Sequence, residues 1–256
     1  MKAVLWIASA FLIAPLIVIA LYSFNASETS VKITGVTFKW YEKALRDPDF
    51  MNGLRNSMIV SLGTTLLAML IGVSAALAAR FTVNAWTRRI LILACVIPIL
   101  TPELVIALGS AFIFSQLGID LSLMTVIIGH TSFGVPLFFL LIDSALSSGH
   151  FDDLIRASRD LGASKATTIR RVVLPLLWPY IVSSAVLIWA LSIDEVVLSY
   201  FLSGNSQVIT LKLFHMLHTK GISTEINVAC VILMVLVVSI WSAGNLIRRK
   251  FARETA

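Results

Sequence analysis

Residues 57–79 read SMIVSLGTTLLAMLIGVSAALAA and contain no charged side chain. The hydrocarbon core of a bilayer is ~30 Å thick, and a helix rising ~1.5 Å per residue crosses it in ~20 residues. This stretch therefore predicts a transmembrane helix. Along it Ser61, Thr65, Ala68, Gly72, Ala75 and Ala79 recur every three or four residues and form one stripe of small side chains. Such a stripe lets helix backbones approach closely in lipid. A pore-lining face carries the same pattern.

Five further segments satisfy the same length criterion: 3–22, 90–115, 124–143, 176–201 and 228–247. Of the 256 residues 58% are hydrophobic and only 13% charged, with a mean hydropathy of +0.92. A soluble domain carries about a quarter charged residues, so lipid must solvate much of this surface. The expected fold is all-α, a polytopic bundle of six transmembrane spans forming a single domain over residues 1–256. Four of the six spans hold Gly or Pro near the middle, which is tolerated where neighbouring helices satisfy the freed backbone groups. The first apolar run is longer than the core of a signal peptide, and Phe24-Asn25-Ala26 is a poor cleavage site, so it reads as a retained helix.

The net charge is +6, and the basic residues lie in short clusters between apolar runs. No aromatic–basic interleaving points to nucleic acid. Thirteen Lys and Arg fall on one side, among them Arg80, Arg88, Arg89, Arg156, Arg159, Lys165, Arg170 and Arg171, and seven on the other. By the positive-inside rule both termini are then cytoplasmic. The outer loops become 23–56, 116–123 and 202–227, and the inner ones 80–89 and 144–175. Cys95 and Cys230 lie inside apolar runs with no metal-ligand spacing, and no metal site or cofactor is expected.

The long inner segment 144–175 is the most informative loop. Phe151, Leu154, Ile155, Ser158 and Leu161 follow i, i+3, i+4, i+7 spacing, so one face of a short helix is apolar. Asp152 and Asp153 fall in its first turn and Arg156 and Arg159 later, as the helix dipole favours. Gly162 suits the left-handed residue that ends a helix. Ser164 suits the cap of a second, basic helix that leads to Pro175. By spacing alone such a helix either lies in the membrane interface or inserts in a groove on a partner.

The run Ala157-Ser158-Arg159-Asp160-Leu161-Gly162-Ala163-Ser164, followed by Leu174-Pro175, resembles the EAA loop of ATP-binding-cassette importer permeases. Arg156 stands where that pattern has Glu, and Ser158 replaces its second Ala. Resemblance extends over nearly the whole chain. Phe38-Lys39-Trp40-Tyr41, the Pro98-to-Gly109 stretch, Ser192-Ile193-Asp194-Glu195-Val196-Val197 and Thr210-Leu211-Lys212-Leu213-Phe214 are similar to spermidine/putrescine permease subunits. The resemblance implies a type I importer permease fold and a cytoplasmic ATP-binding subunit that carries ATP and Mg. It also implies a second permease chain, in a heterodimer, and an extracytoplasmic substrate-binding protein, in a bacterial inner membrane. It assigns ATPase docking to Phe151, Asp152, Leu154, Ile155, Ala157, Ser158, Asp160, Leu161 and Gly162. The chain itself lacks the G-x-x-x-x-G-K-[ST] phosphate loop and has no candidate catalytic residues.

Acidic residues inside a span are costly and so are candidates for function. Glu103, Asp194 and Glu195 qualify. Counting ~1.5 Å per residue along straight third and fifth spans places all three in the outer half of the membrane. They would form an acidic station for a cationic substrate, with cation–π contact from Trp189, Tyr200 or Phe201. The competing expectation is that Asp194 and Glu195 reach the interface and Glu103 bonds beside Pro102. His215 and His218 lack a third ligand for a metal, and His130 reads as a helix-to-helix hydrogen bond. The favoured substrate is a polyamine. An opine or aminophosphonate is the alternative within the family, and an ion-coupled secondary transporter or channel the alternative outside it.

Overall fold

The computed structural model describes the backbone of residues 2–29, 32–82 and 84–254, and the side chains of these except residues 2, 3, 5 and 247–254. Lys2, Arg248, Arg249, Lys250 and Arg253, which enter the orientation argument, therefore lie outside the described side chains. All six expected segments are helical. They correspond to α1 (Lys2–Tyr22), α3 (Pro48–Phe81), the pair α4 (Ala85–Leu100) and α5 (Glu103–Gln116), α6 (Leu123–Leu146), α9 (Leu174–Asp194) with α10 (Val197–Leu202), and α12 (Thr224–Glu254). Between them lie α2 (Lys39–Arg46), α7 (Gly149–Asp160), α8 (Lys165–Thr168) and α11 (Ile209–Lys220).

By length and composition α3, α6, the Lys165–Asp194 stretch and α12 are each able to cross a membrane. The α4–α5 pair adds a fifth crossing if it counts as one, and α1 contributes a shorter apolar helix over Trp6–Tyr22.

Two expected spans are not straight. The third, expected over 90–115, bends by 106° between α4 and α5. Pro102 is the cause: it has no N–H and pushes the preceding residue out of the helical region. Thr101 accordingly sits at φ −87°, ψ 131°. The fifth, expected over 176–201, stops at Asp194, and Glu195 is extended at φ −72°, ψ 119° before α10 begins. At the start of α9, residues Ile169–Val173 form a π-turn in which the Leu174 N–H reaches back to the Ile169 carbonyl. Pro175 follows, so the ordinary ladder is interrupted there too.

The chain divides into two compact units, Met1–Asn56 with Gln207–Ser239 and Ser57–Ser206 with Ile240–Ala256, where the sequence suggests one domain. In the larger unit α6 is the central element. Phe138, Phe139, Ile142 and Leu146 on it are at most 1% exposed. The small-residue stripe of α3 packs inward: Ser61, Ala68 and Ala79 are at most 1% exposed and Gly72 is also buried. A Cβ on Gly72 would stand 2.5 Å from the Cβ of Phe138, so the absence of a side chain sets how closely α3 approaches α6. The large side chains of α3, such as Leu62, Leu66 and Leu70, point outward, as a lipid-facing surface requires.

The smaller unit has its own core of Phe50, Ile209 and Ala229, with Ala44 and Leu213 against it. Asn25, 1% exposed, organises the loop after α1. Its amide donates to the Lys32 and Thr29 carbonyls, its oxygen accepts from the Thr34 and Ser27 N–H, and its own carbonyl accepts from the Trp40 indole. The loop is tied to the start of α12 by the Thr224 hydroxyl on the Ser27 carbonyl at 2.7 Å. Lys212 pairs with Asp47 at 2.5 Å, and Glu225 pairs with both Lys43 and Lys220. Burial pushes the Asp47 carboxyl up, but the Lys212 ammonium and the Asp49 and Phe50 N–H groups outweigh it and hold it below the usual value.

Gly72→Val is expected to destabilise the protein by about 1–3 kcal/mol through overpacking. Gly109→Ala, with nothing within 4 Å of its added Cβ, should leave the melting temperature in detergent unchanged or slightly raised. A carboxyl with a depressed folded pKa contributes stability above its unfolded value and loses it as the pH falls through the folded one. Asp47→Asn should therefore lower the melting temperature at pH 7, and the deficit should shrink once the pH falls below the ordinary Asp value of about 3.9 and on through the lowered folded one.

Candidate functional site

The breaks at Pro102 and Glu195 face one cavity of about 200 Å³, lined by Pro98, Thr101, Glu103, Ser132, Phe133 and Glu195 together with apolar neighbours. Two of the three candidate carboxylates thus share a site. Each arrives there by local chemistry. Glu103 occupies the first turn of α5, where the helix dipole favours a negative charge. Glu195 lies in the extended link, and its Oε1 accepts the Leu198 N–H at 2.8 Å, capping the first turn of α10 as a side-chain oxygen does at a helix start.

Asp194 does not line this cavity. It ends α9 and is exposed, so two of the three expected carboxylates, Glu103 and Glu195, line the cavity. Asp194 is the last residue of the unbroken α9, and the extended link that carries Glu195 to the cavity begins only after it. Trp189 is 3% exposed and absent from the cavity lining, as its place one turn before the break packs it into the bundle. Its Nε1 has no hydrogen-bond partner. Tyr200 is 61% exposed and stacks edge-to-face on Phe201 with centroids 5.2 Å apart, also outside the lining. The aromatic ring in the cavity is Phe133. The side chains missed from sequence are Phe133, Thr101 and Ser132, whose buried hydroxyl has no partner. The polar run Gly129-His130-Thr131-Ser132 inside an apolar segment was the available signal.

That run holds the second break in place. His130, 1% exposed, bonds through Nδ1 to the Ser192 hydroxyl at 2.9 Å and through Nε2 to the Ser199 hydroxyl at 3.1 Å. One imidazole on α6 thus joins the end of α9 to α10. The Thr125 hydroxyl donates to the Leu202 carbonyl at 2.7 Å. Gly129 lies directly against the Leu202 side chain, leaving no room for a Cβ.

α7 occupies the far end of this unit. Its apolar stripe is turned inward: Phe151, Ile155 and Ser158 are 2%, 7% and 9% exposed, and Phe151 and Ile155 join the main core with Leu146, Val173 and Leu177. Ser158 donates to the Ile155 carbonyl and shares a hydrogen bond with Thr168 on α8. Asp152 forms an ion pair with Arg80 at the end of α3. These four residues, for which the resemblance implies docking, are held by the chain itself, Phe151, Ile155 and Ser158 by burial and the partly exposed Asp152 by its ion pair. Leu154 is half-buried. Ala157, Asp160, Leu161 and Gly162 are exposed, Leu161 at 89%. Gly162 ends the helix at φ +78°, as expected. Among the described residues no group of three His, Cys, Asp or Glu is placed to hold a metal.

Residues 68–251 match the family described as binding-protein-dependent transport system inner membrane component. The chain belongs to this family. It is the membrane-embedded permease component of a binding-protein-dependent importer, a translocation subunit rather than an enzyme. Family membership implies a substrate-binding protein and an ATP-binding subunit as partners. It also decides against the ion-coupled alternative. Across 245 residues the chain is 31% identical to the spermidine/putrescine transport system permease protein PotC of Escherichia coli (strain K12), covering 94% of this chain and 90% of that protein. Identity to PotC of Haemophilus influenzae is 29%, over 97% and 96% of the two chains. A chain of the bacterial alginate ABC transporter, solved in complex with an alginate-bound periplasmic protein, superposes with a TM-score of 0.74 at 15% identity, covering 97% of this chain and 92% of that one. The fold is that of the type I importer permeases.

If Phe151 anchors α7, Phe151→Ala should cost about 3–5 kcal/mol, read as a large fall in melting temperature and faster protease cleavage within 144–168. Leu161→Ala, on the exposed face, should change stability by no more than about 0.5 kcal/mol.

Proposed function

We propose that the chain carries a polyamine across the inner membrane through the cavity between α4, α5, α6 and the α9–α10 link. The observation that carries this reading is that Glu103 and Glu195 line the same cavity. A polyamine presents ammonium groups separated by apolar methylenes. Two carboxylates offset its charge, the Phe133 face adds cation–π attraction, and the apolar wall accepts the methylenes. The similarity to PotC supports the same substrate class. An opine or aminophosphonate carries negative groups that these carboxylates would repel.

In this reading an ATP-binding subunit docks on the exposed side of α7, around Ala157, Asp160, Leu161 and Gly162, and supplies ATP and Mg. A second, different permease chain completes the pathway, and an extracytoplasmic binding protein delivers the substrate. The excess of Lys and Arg beside α7 supports cytoplasmic termini. ATPase closure pushes on α7, whose buried face transmits the displacement to the core that α3, α6 and α9 share.

Putrescine and spermidine uptake in cells lacking this chain tests the proposal. Restoring the chain should restore ATP-dependent uptake, and Glu103→Gln with Glu195→Gln should raise the KM for putrescine about tenfold or more, at least one hydrogen-bonded charge contact. Restored uptake of an opine or aminophosphonate, without any polyamine, would overturn the cationic assignment.

A further inference from the structure

We infer that His130 is a positioning residue for transport: by bonding to Ser192 and Ser199 it sets the angle between α9 and α10 and so fixes where the Glu195 carboxylate stands in the cavity. The inference rests on the cavity reading above and deepens it.

Ser192 precedes Glu195 by three residues and Ser199 follows it by four, so the two hydroxyls bracket the break. An extended link between two helices is a hinge, because neither helix's ladder spans it. Glu195 satisfies one N–H across the link, that of Leu198, but a side chain within the link cannot hold both helices to the rest of the bundle. The imidazole does this from outside. Its two nitrogens flank Cε1 on a rigid ring and point in diverging directions, one to each helix, and one donates while the other accepts. All three side chains are at most 3% exposed, so water does not compete for these bonds. Thr125 and Gly129 add a hydroxyl anchor and a close contact at the far end of α10. Histidine is thus the part of α6 that reads both sides of the break at once, at the helix whose next turn contributes Ser132 and Phe133 to the cavity.

The test uses the full complex reconstituted with its partner subunits. In a background with Cys95→Ser and Cys230→Ser, spin labels at Leu140→Cys on α6 and Tyr200→Cys on α10 report the hinge by pulsed electron resonance. Adding His130→Ala should shift or broaden the distance by about 5 Å, one helical turn, and His130→Gln should give an intermediate value. An unchanged distribution would overturn the inference. Should His130→Ala fail to assemble, Ser192→Ala with Ser199→Ala removes only the two hydroxyls and reads the same distance. Without labels, His130→Ala should raise the KM for putrescine about tenfold, on the order of one buried hydrogen bond, with kcat within about twofold. A fall in kcat at unchanged KM would mark a merely structural role and overturn it. In the Glu195→Gln background, His130→Ala should add no further rise. If Glu195→Gln alone leaves the KM unchanged, the cavity reading fails, while the label distance still reports on the clip.

Discussion

Backbone freed inside a membrane has no water to bond with, so each interruption of a spanning helix must be compensated by protein. This chain interrupts two spans, at Thr101-Pro102 and at Glu195-Val196, and the larger unit is arranged around meeting that demand. At the second break Glu195 caps α10, while His130 and Thr125 bind the two helices to α6. The polar groups that repair the backbone are the ones that line or frame the cavity. The Glu195 carboxylate both satisfies an N–H across the break and lines the cavity.

The other end of the unit follows a different rule. α7 is amphipathic, and amphipathicity alone does not say what the apolar face meets. In this chain it meets the protein itself, through Phe151 and Ile155, with Asp152 pinned to Arg80. A rigidly anchored helix is a better lever than a loosely held one, because a push on its exposed face displaces the core rather than the helix. Leu161 is exposed and the positive-φ Gly162 ends the helix beside it. The smaller unit rests on neither rule: its loop is ordered by one asparagine, and Asp47 and Glu225 pair with its own lysines.

The membrane-embedded, all-helical character was legible from composition, since too few charged residues exist to cover a soluble surface. Residues 57–79 showed where α3 crosses and which stripe packs, because small side chains at helical spacing leave only one close-packing face. The α7 helix, its Gly162 stop and the Ser164 cap were legible from spacing and cap chemistry, which act within a few residues. Glu103 and Glu195 were already grouped by the sequence, whereas the absence of Asp194 and Trp189 from the cavity lining and the inward turn of Phe151 were decided only by tertiary structure. Each depends on where a helix bends or which neighbour it meets, and neither is encoded within one turn of the residue concerned. Pro102 announces a bend, but its 106° angle follows from the packing of α5 against α6 and α10.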